Sequence, residues 1–199
     1  MRDFVQPWHR PGRVLKTILL VASLFVFSAS ATAGELAQKL MSGNYVLLMR
    51  HANALGTGDP NAFKLDDCST QRNLDQRGRL QATRIGERLR AEGIGDAIVY
   101  SSPWCRCIDT ANLLDFRKAV IEPSLASFYN DHAGSEQSTQ NLQQFIARQM
   151  KTKTLPVILV THEVNITAYA DVFAGSGDMI LVKVDAHGKP VSHQAYPNH

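Results

Sequence analysis

Two periodicities divide the apolar positions of this chain. Short unbroken runs recur at Val46-Leu47-Leu48-Met49, Ala97-Ile98-Val99-Tyr100 and Val157-Ile158-Leu159-Val160. Runs of this length predict strands buried on both faces. They set strands over Asn44–Arg50, Ala97–Ser101 and Pro156–Thr161, with a shorter one at Ala119–Ile121. Met179–Val184 and Val191–Tyr196 predict an edge pair joined by a turn at His187-Gly188. Between the runs, apolar residues return every three or four positions. Ala82, Ile85 and Leu89 predict a helix with Asp75 as its N-cap and Gly93 as its stop. Leu142, Phe145, Ile146 and Met150 form the inward face of a helix over Ser138–Met150. Shorter helices are expected over Glu35–Met41, after Pro103 (Trp104–Leu114, with the proline in the first turn) and over Val164–Phe173.

Strands alternating with helices indicate an α/β fold: a three-layer α/β/α sandwich around a mainly parallel sheet. Three strands end in polar residues, namely Arg50-His51, Ser101-Ser102 and His162-Glu163. Parallel strands present their C-terminal ends on one edge, where open α/β sheets bind ligands. Two irregular stretches flank that edge. Ala52–Asn73 is rich in Gly, Asp, Asn and Pro, and a second runs from Ser124 to Gly134. Loops of such length are more often functional than idle.

The first 33 residues break the pattern. Arg2, Arg10, Arg13 and Lys16 face one acid, Asp3, and the apolar run Thr17–Ser28 follows. Ala31-Thr32-Ala33 fits the small-x-small cleavage rule, so a secretory signal over residues 1–33 is expected, cut after Ala33. That predicts a periplasmic or secreted domain over residues 34–199; an uncleaved anchor is the alternative. Of 21 basic and 18 acidic residues, the remaining domain keeps 17 of each sign. The basic excess belongs to the leader, and a nucleic-acid role has no support.

Cys68, Cys105 and Cys107 remain. In an exported chain three cysteines allow one internal bridge and one free thiol. Cys68 to Cys105 or to Cys107 is the expected pairing. A zinc site is the rival, but its usual ligand spacing is missing, and no metal or other cofactor is expected.

Arg50, His51, Arg106 and His162 should meet at the sheet edge. Guanidinium forks match phosphate oxygens, and the first turn of a helix favours an anion near Arg106. An imidazole facing a phosphoryl group can act as a nucleophile, provided it is neutral, and neighbouring arginines disfavour its protonated form. Taken singly, each residue has an ordinary reading as a solvated or surface group; the joint placement carries the argument. Arg72 in the long loop is a further phosphate ligand or a solvent-exposed residue.

These residues sit in four segments that resemble one family. LLMRHAN (47–53) resembles the Arg-His-Gly-type signature of the histidine phosphatase superfamily, the phosphoglycerate mutase-like fold. NLDQRGRLQA (73–82) is similar to its leucine-threonine-x-x-glycine helix start, YSSPWCRCIDTA (100–111) to its serine-serine-proline segment, and VILVTHEVNI (157–166) to its second histidine strand. The resemblance implies that His51 is the nucleophile, that Arg50 and Arg106 bind phosphate, and that His162 completes the pocket. The exported lipopolysaccharide-core heptose phosphatase (Ais-like) group is nearest in length and leader. Ala52 and Cys107 depart from the pattern, which commonly has glycine and alanine there. The general acid is not fixed by a motif. Glu163, directly after the second histidine, is favoured over Asp131 and Glu136; its ordinary reading is a helix-start acid.

The expectation is therefore an exported, metal-independent phosphatase that hydrolyses phosphomonoesters through a phosphohistidine on His51. Its substrate would be a small-molecule or glycolipid phosphate, such as a phosphorylated envelope sugar. A mutase fits an exported chain less well. The alternatives are a non-catalytic phosphate-binding module or a phosphohistidine-protein phosphatase. Specificity should lie in Leu55–Arg72 and Ser124–Ser138. Oligomeric state is not legible in the sequence.

Overall fold

Alternation of side chains along each strand decides the architecture. In β1 (Tyr45–Arg50), Leu47 and Met49 enter one apolar cluster while Val46 and Leu48 enter another, and all four are fully buried. A strand covered on both faces must be apolar throughout, which is why the sequence shows runs rather than alternation. A computed structural model describes residues 1–3 and 34–198. The expected leader and its cleavage site lie outside the described residues. The elements below all belong to one unit, Ala31–His199.

Six strands form one sheet in the order β3-β2-β4-β1-β5-β6. β2 (Ile98–Ser101), β3 (Val120–Ile121) and β4 (Val157–Thr161) pair parallel with their neighbours, and β1 pairs parallel with β4. β5 (Met179–Val184) runs antiparallel to β1, and β6 (Pro190–Tyr196) antiparallel to β5. Helices α1 (Glu35–Met41), α2 (Gln76–Ala91) and α3 (Cys105–Leu113) pack on one face; α4 (Ser135–Thr152) and α5 (Glu163–Ala170) pack on the other. The three layers and the mainly parallel sheet are those the sequence predicts. Each fully buried Leu or Ile contributes about 1.5–3 kcal/mol.

The helix ends follow local chemistry. The Asp75 carboxylate accepts the Gly78 N–H at 2.7 Å and caps α2. Gly93, at φ +96°, closes it, with the Ile94 N–H reaching back to the Leu89 carbonyl at 3.1 Å. Gly78 also permits close approach, because a Cβ there would collide with the Asn53 carbonyl.

Three helices differ from expectation at their ends. Pro103 does not open α3. Trp104 keeps an extended backbone as N-cap, and its carbonyl accepts the first helical bonds from Cys107 (2.9 Å) and Ile108 (3.0 Å). α4 begins three residues before Ser138 and ends two beyond Met150, while Met150 packs only partly against the core. α5 stops at Ala170 rather than Phe173, because Asp171 turns left-handed at φ 52° and donates its N–H to Thr167. Among the described residues no helix is long and apolar enough to cross a membrane.

Candidate active site

The parallel ladder carries two histidines to the same edge. β1 and β4 are hydrogen-bonded neighbours, with Arg50 opposite Thr161. The chain continues straight into His51 and His162, whose rings meet edge to face with centroids 5.5 Å apart. Residues more than 100 positions apart in sequence thus share one cavity of about 310 Å³. Arg50, His51, Arg72, Arg106, His162 and Glu163 all line it.

His51 is held by its own backbone. Its N–H donates to the Thr161 carbonyl at 3.0 Å, and its carbonyl accepts the Gly177 N–H at 3.2 Å. The ring is 2% exposed, and Nδ1 lies 2.8 Å from the Ala52 carbonyl. A carbonyl can only accept, so the proton sits on Nδ1 and Nε2 keeps its lone pair. Ala52 is in turn fixed by α3: its N–H donates to the Thr110 hydroxyl at 3.0 Å. Burial lowers the His51 pKa from 6.5 to about 3, against the Ala52 bond and with help from Arg106, Arg72 and Arg50. The ring is therefore neutral at ordinary pH, the form a nucleophile needs.

His162 takes the opposite tautomer. Nδ1 faces the Arg106 guanidinium at 3.4 Å, and Nε2 lies 2.8 Å from the Ser102 hydroxyl and 3.5 Å from Cys107 Sγ. Arginine only donates, so Nδ1 accepts and Nε2 donates to Ser102. Burial first, then His51 and the three arginines, push its pKa well below 6.5.

The arginines are anchored unequally. Arg106, in the first turn of α3, pairs with Asp59 at 2.8 Å, both side chains being almost fully buried. Asp59 also accepts the Trp104 indole N–H (3.1 Å) and the Arg72 N–H (3.1 Å). Burial pushes the Asp59 carboxyl up, but these donors outweigh it and hold the group below its usual range. Arg72 is half-buried, not solvent-exposed, and donates to the Gly58 and Ala54 carbonyls at 2.8 and 2.6 Å. Arg50 donates to the Ala174 carbonyl at 3.0 Å. Arg50 Nε and Arg106 Nε are buried without a hydrogen-bond partner among the described residues. Buried donors of this kind are costly unless satisfied, and a bound phosphoryl oxygen would satisfy both. The donor set thus suits a tetrahedral dianion, with Nε2 of His51 as the free nucleophilic atom.

The candidate acids separate. Glu163 opens α5 and lines the cavity while its Oε1 accepts the Thr167 hydroxyl at 2.7 Å. Asp131 also lines the cavity, and its Oδ1 accepts the Gly134 N–H at 3.3 Å. Glu136 lies outside it, on the exposed first turn of α4, beside Gln140. The cysteine alternative closes on one pair: Cys68 is bonded to Cys105, which ties the long loop to the start of α3. Cys107 is the buried free thiol, its pKa pushed up to about 12 by burial. Among the described residues no three His, Cys, Asp or Glu groups gather as a metal site.

Sequence reasoning passed over Asp59, Trp104, Thr110 and Ser102. Asp59 carried no signal beyond its place in an acid-rich loop. Ser102 was visible as a polar strand end.

The model of the histidine phosphatase superfamily (branch 1) matches residues 46–128, the stretch from β1 to the loop after β3. Over that stretch the chain is similar to the histidine phosphatase superfamily. Solved structures extend the likeness in fold to more than three quarters of the chain. The protein histidine phosphatase SixA, complexed with tungstate, superposes with a TM-score of 0.54 at 15% identity, over 77% of this chain and 97% of its own. A mycobacterial glucosyl-3-phosphoglycerate phosphatase gives 0.56 at 13% identity, over 78% and 100%. The SixA protein of Agrobacterium tumefaciens gives 0.51 at 19%, over 77% and 99%. At these identities the shared property is the histidine phosphatase fold. No curated protein sequence matches the chain.

Proposed function

We propose that the domain is an exported, metal-independent phosphatase that hydrolyses phosphomonoesters through a phosphohistidine on His51. The observation that carries this reading is the bond from His51 Nδ1 to the Ala52 carbonyl, which leaves Nε2 unprotonated among three arginines. Nε2 attacks phosphorus; the N–P bond forms as the bond to the leaving oxygen breaks. Arg50, Arg72 and Arg106 stabilise the charge spread over the equatorial oxygens. A carboxylic acid gives the leaving oxygen its proton. Glu163 is favoured for this role because it stands next to His162 and lines the same cavity. Water then attacks the phosphohistidine, the N–P bond breaks, the proton returns to the carboxylate and inorganic phosphate leaves.

The Cys68–Cys105 disulfide and the leader-like N-terminus support an oxidising compartment. Export disfavours a mutase and favours phosphorylated sugars of the envelope as substrates, with the mycobacterial glucosyl-3-phosphoglycerate phosphatase as a structural parallel. A turnover assay with para-nitrophenyl phosphate tests the reading, since this leaving group needs little acid assistance. Turnover that persists in chelator and disappears in His51→Ala is expected. Phosphate binding without turnover makes the domain a binding module instead.

A further inference from the structure

A second set of cations lies away from the histidine pocket, and the phosphatase reading does not use it. Along α2, Arg77, Gln81, Arg84 and Arg88 follow spacings of four, three and four residues. Such spacing puts all four on one helix face. Together with Asn53 and Asn198 they line a separate groove of about 580 Å³. The side chains of Arg77 and Arg84 are exposed and make no hydrogen bond or ion pair among the described residues. Arg88 spends one nitrogen on the Pro197 carbonyl at 3.1 Å. Other arginines of α2 are used in packing. Arg79 pairs with Asp109 at 2.8 Å, and Arg90 donates to the Leu114 carbonyl at 2.7 Å.

The groove floor is fixed. Gln81 accepts the Asn53 N–H and donates to the Ser176 carbonyl, each at 2.8 Å. Nearby carboxylates are committed elsewhere: Asp75 caps Gly78, and Asp178 accepts the Gly175 and Asn198 N–H groups. Glu87, on the same helix, forms no ion pair with Arg84 or Arg88. Like charges one turn apart destabilise a helix, so Arg84 and Arg88 together carry a cost that a bound anion would remove. Guanidinium forks match phosphate oxygens pairwise. From Arg77 to Arg88 the helix rises about 16 Å, more than one phosphate can bridge.

We propose that this groove is a second anion site, separate from His51, that binds a soluble ligand carrying two or more phosphate groups. The proposal stands whether or not the histidine pocket hydrolyses phosphate esters. Calorimetric titration of the purified protein with inorganic tripolyphosphate tests it. Two bound tripolyphosphates per chain are expected, one of them lost in the combined Arg77→Gln, Arg84→Gln, Arg88→Gln variant. Turnover of para-nitrophenyl phosphate by that variant should equal the parent's. Orthophosphate should bind the groove at least about tenfold more weakly than tripolyphosphate, one charge-assisted contact being worth roughly that factor. No tripolyphosphate site lost in the triple variant, or orthophosphate binding the groove equally well, overturns the proposal. If circular dichroism shows the triple variant unfolded, Arg84→Glu alone decides. A rise of about tenfold or more in the groove Kd supports the site, and an unchanged Kd refutes it.

Discussion

The two irregular walls of the histidine pocket are built differently. Residues 52–73 are tied to the fold at several points. Cys68 is bonded to Cys105, Asp59 to Arg106, and Gln71 accepts the Cys105 N–H at 3.0 Å. In the second stretch, Leu125 and Ala126 are held by Thr161 and Asn165, at 2.8 Å each. Beyond them Tyr129 N–H donates to the Ser127 hydroxyl, Asp131 N–H to the Phe128 carbonyl and Gly134 N–H to Asp131. The first wall fixes the arginines, where preorganised charge matters most. In the second, Tyr129 and Asp131 are exposed.

Breaking the rigid wall should cost most. Arg106→Gln removes a proposed phosphate donor and strands Asp59. Loss of such a donor lowers kcat/KM by about 10²–10³, and an unpaired buried charge costs about 3–5 kcal/mol. Steady-state kinetics and urea unfolding check both. Cys68→Ser should lower stability by about 2–4 kcal/mol, with a larger effect on KM than on kcat if the loop then moves as a unit. An equal denaturation midpoint in parent and variant would show that the loop is held without the bridge.

Acid sharpens the contrast next. The unfolded chain protonates His51 below about pH 6.5, whereas the native ring does so only near 3. Between those values the unfolded state binds more protons, so stability falls as pH drops through that window. His162 shifts in the same direction. Unfolding midpoints measured between pH 7 and 4 should decline less in His51→Gln than in the parent. The smallest effect belongs to the open wall. Asp131→Asn should change kcat/KM for para-nitrophenyl phosphate by less than about threefold, while Glu163→Gln should slow alkyl phosphates more than aryl ones. The reverse ranking would move the acid to Asp131.

The strand runs and their polar ends were legible because burial on both faces leaves an unmistakable apolar pattern, and because parallel strands align their ends by geometry. The convergence of His51 and His162 followed from that alone. Asp75 and Gly93 were legible because caps are local. The partner of Cys68 was not, since Cys105 and Cys107 lie two residues apart and only the facing of α3 separates them: Cys105 turns to the loop, Cys107 to Thr161 and His162. Asp59 escaped for the same reason. Its three donors come from residues 13 to 47 positions away, and nothing local marks it. Trp104 misled because proline favours a first turn, while the structure spends that residue on capping and on Asp59.

The account turns on Nε2 of His51 as the atom that takes the phosphoryl group. Rapid quench of the enzyme with a radiolabelled aryl phosphate, followed by peptide mapping under alkaline conditions, reads this directly. The account predicts acid-labile, alkali-stable label on the peptide containing His51, formed and lost at rates matching turnover. Label on another residue, or turnover at the parent rate in His51→Ala, contradicts it.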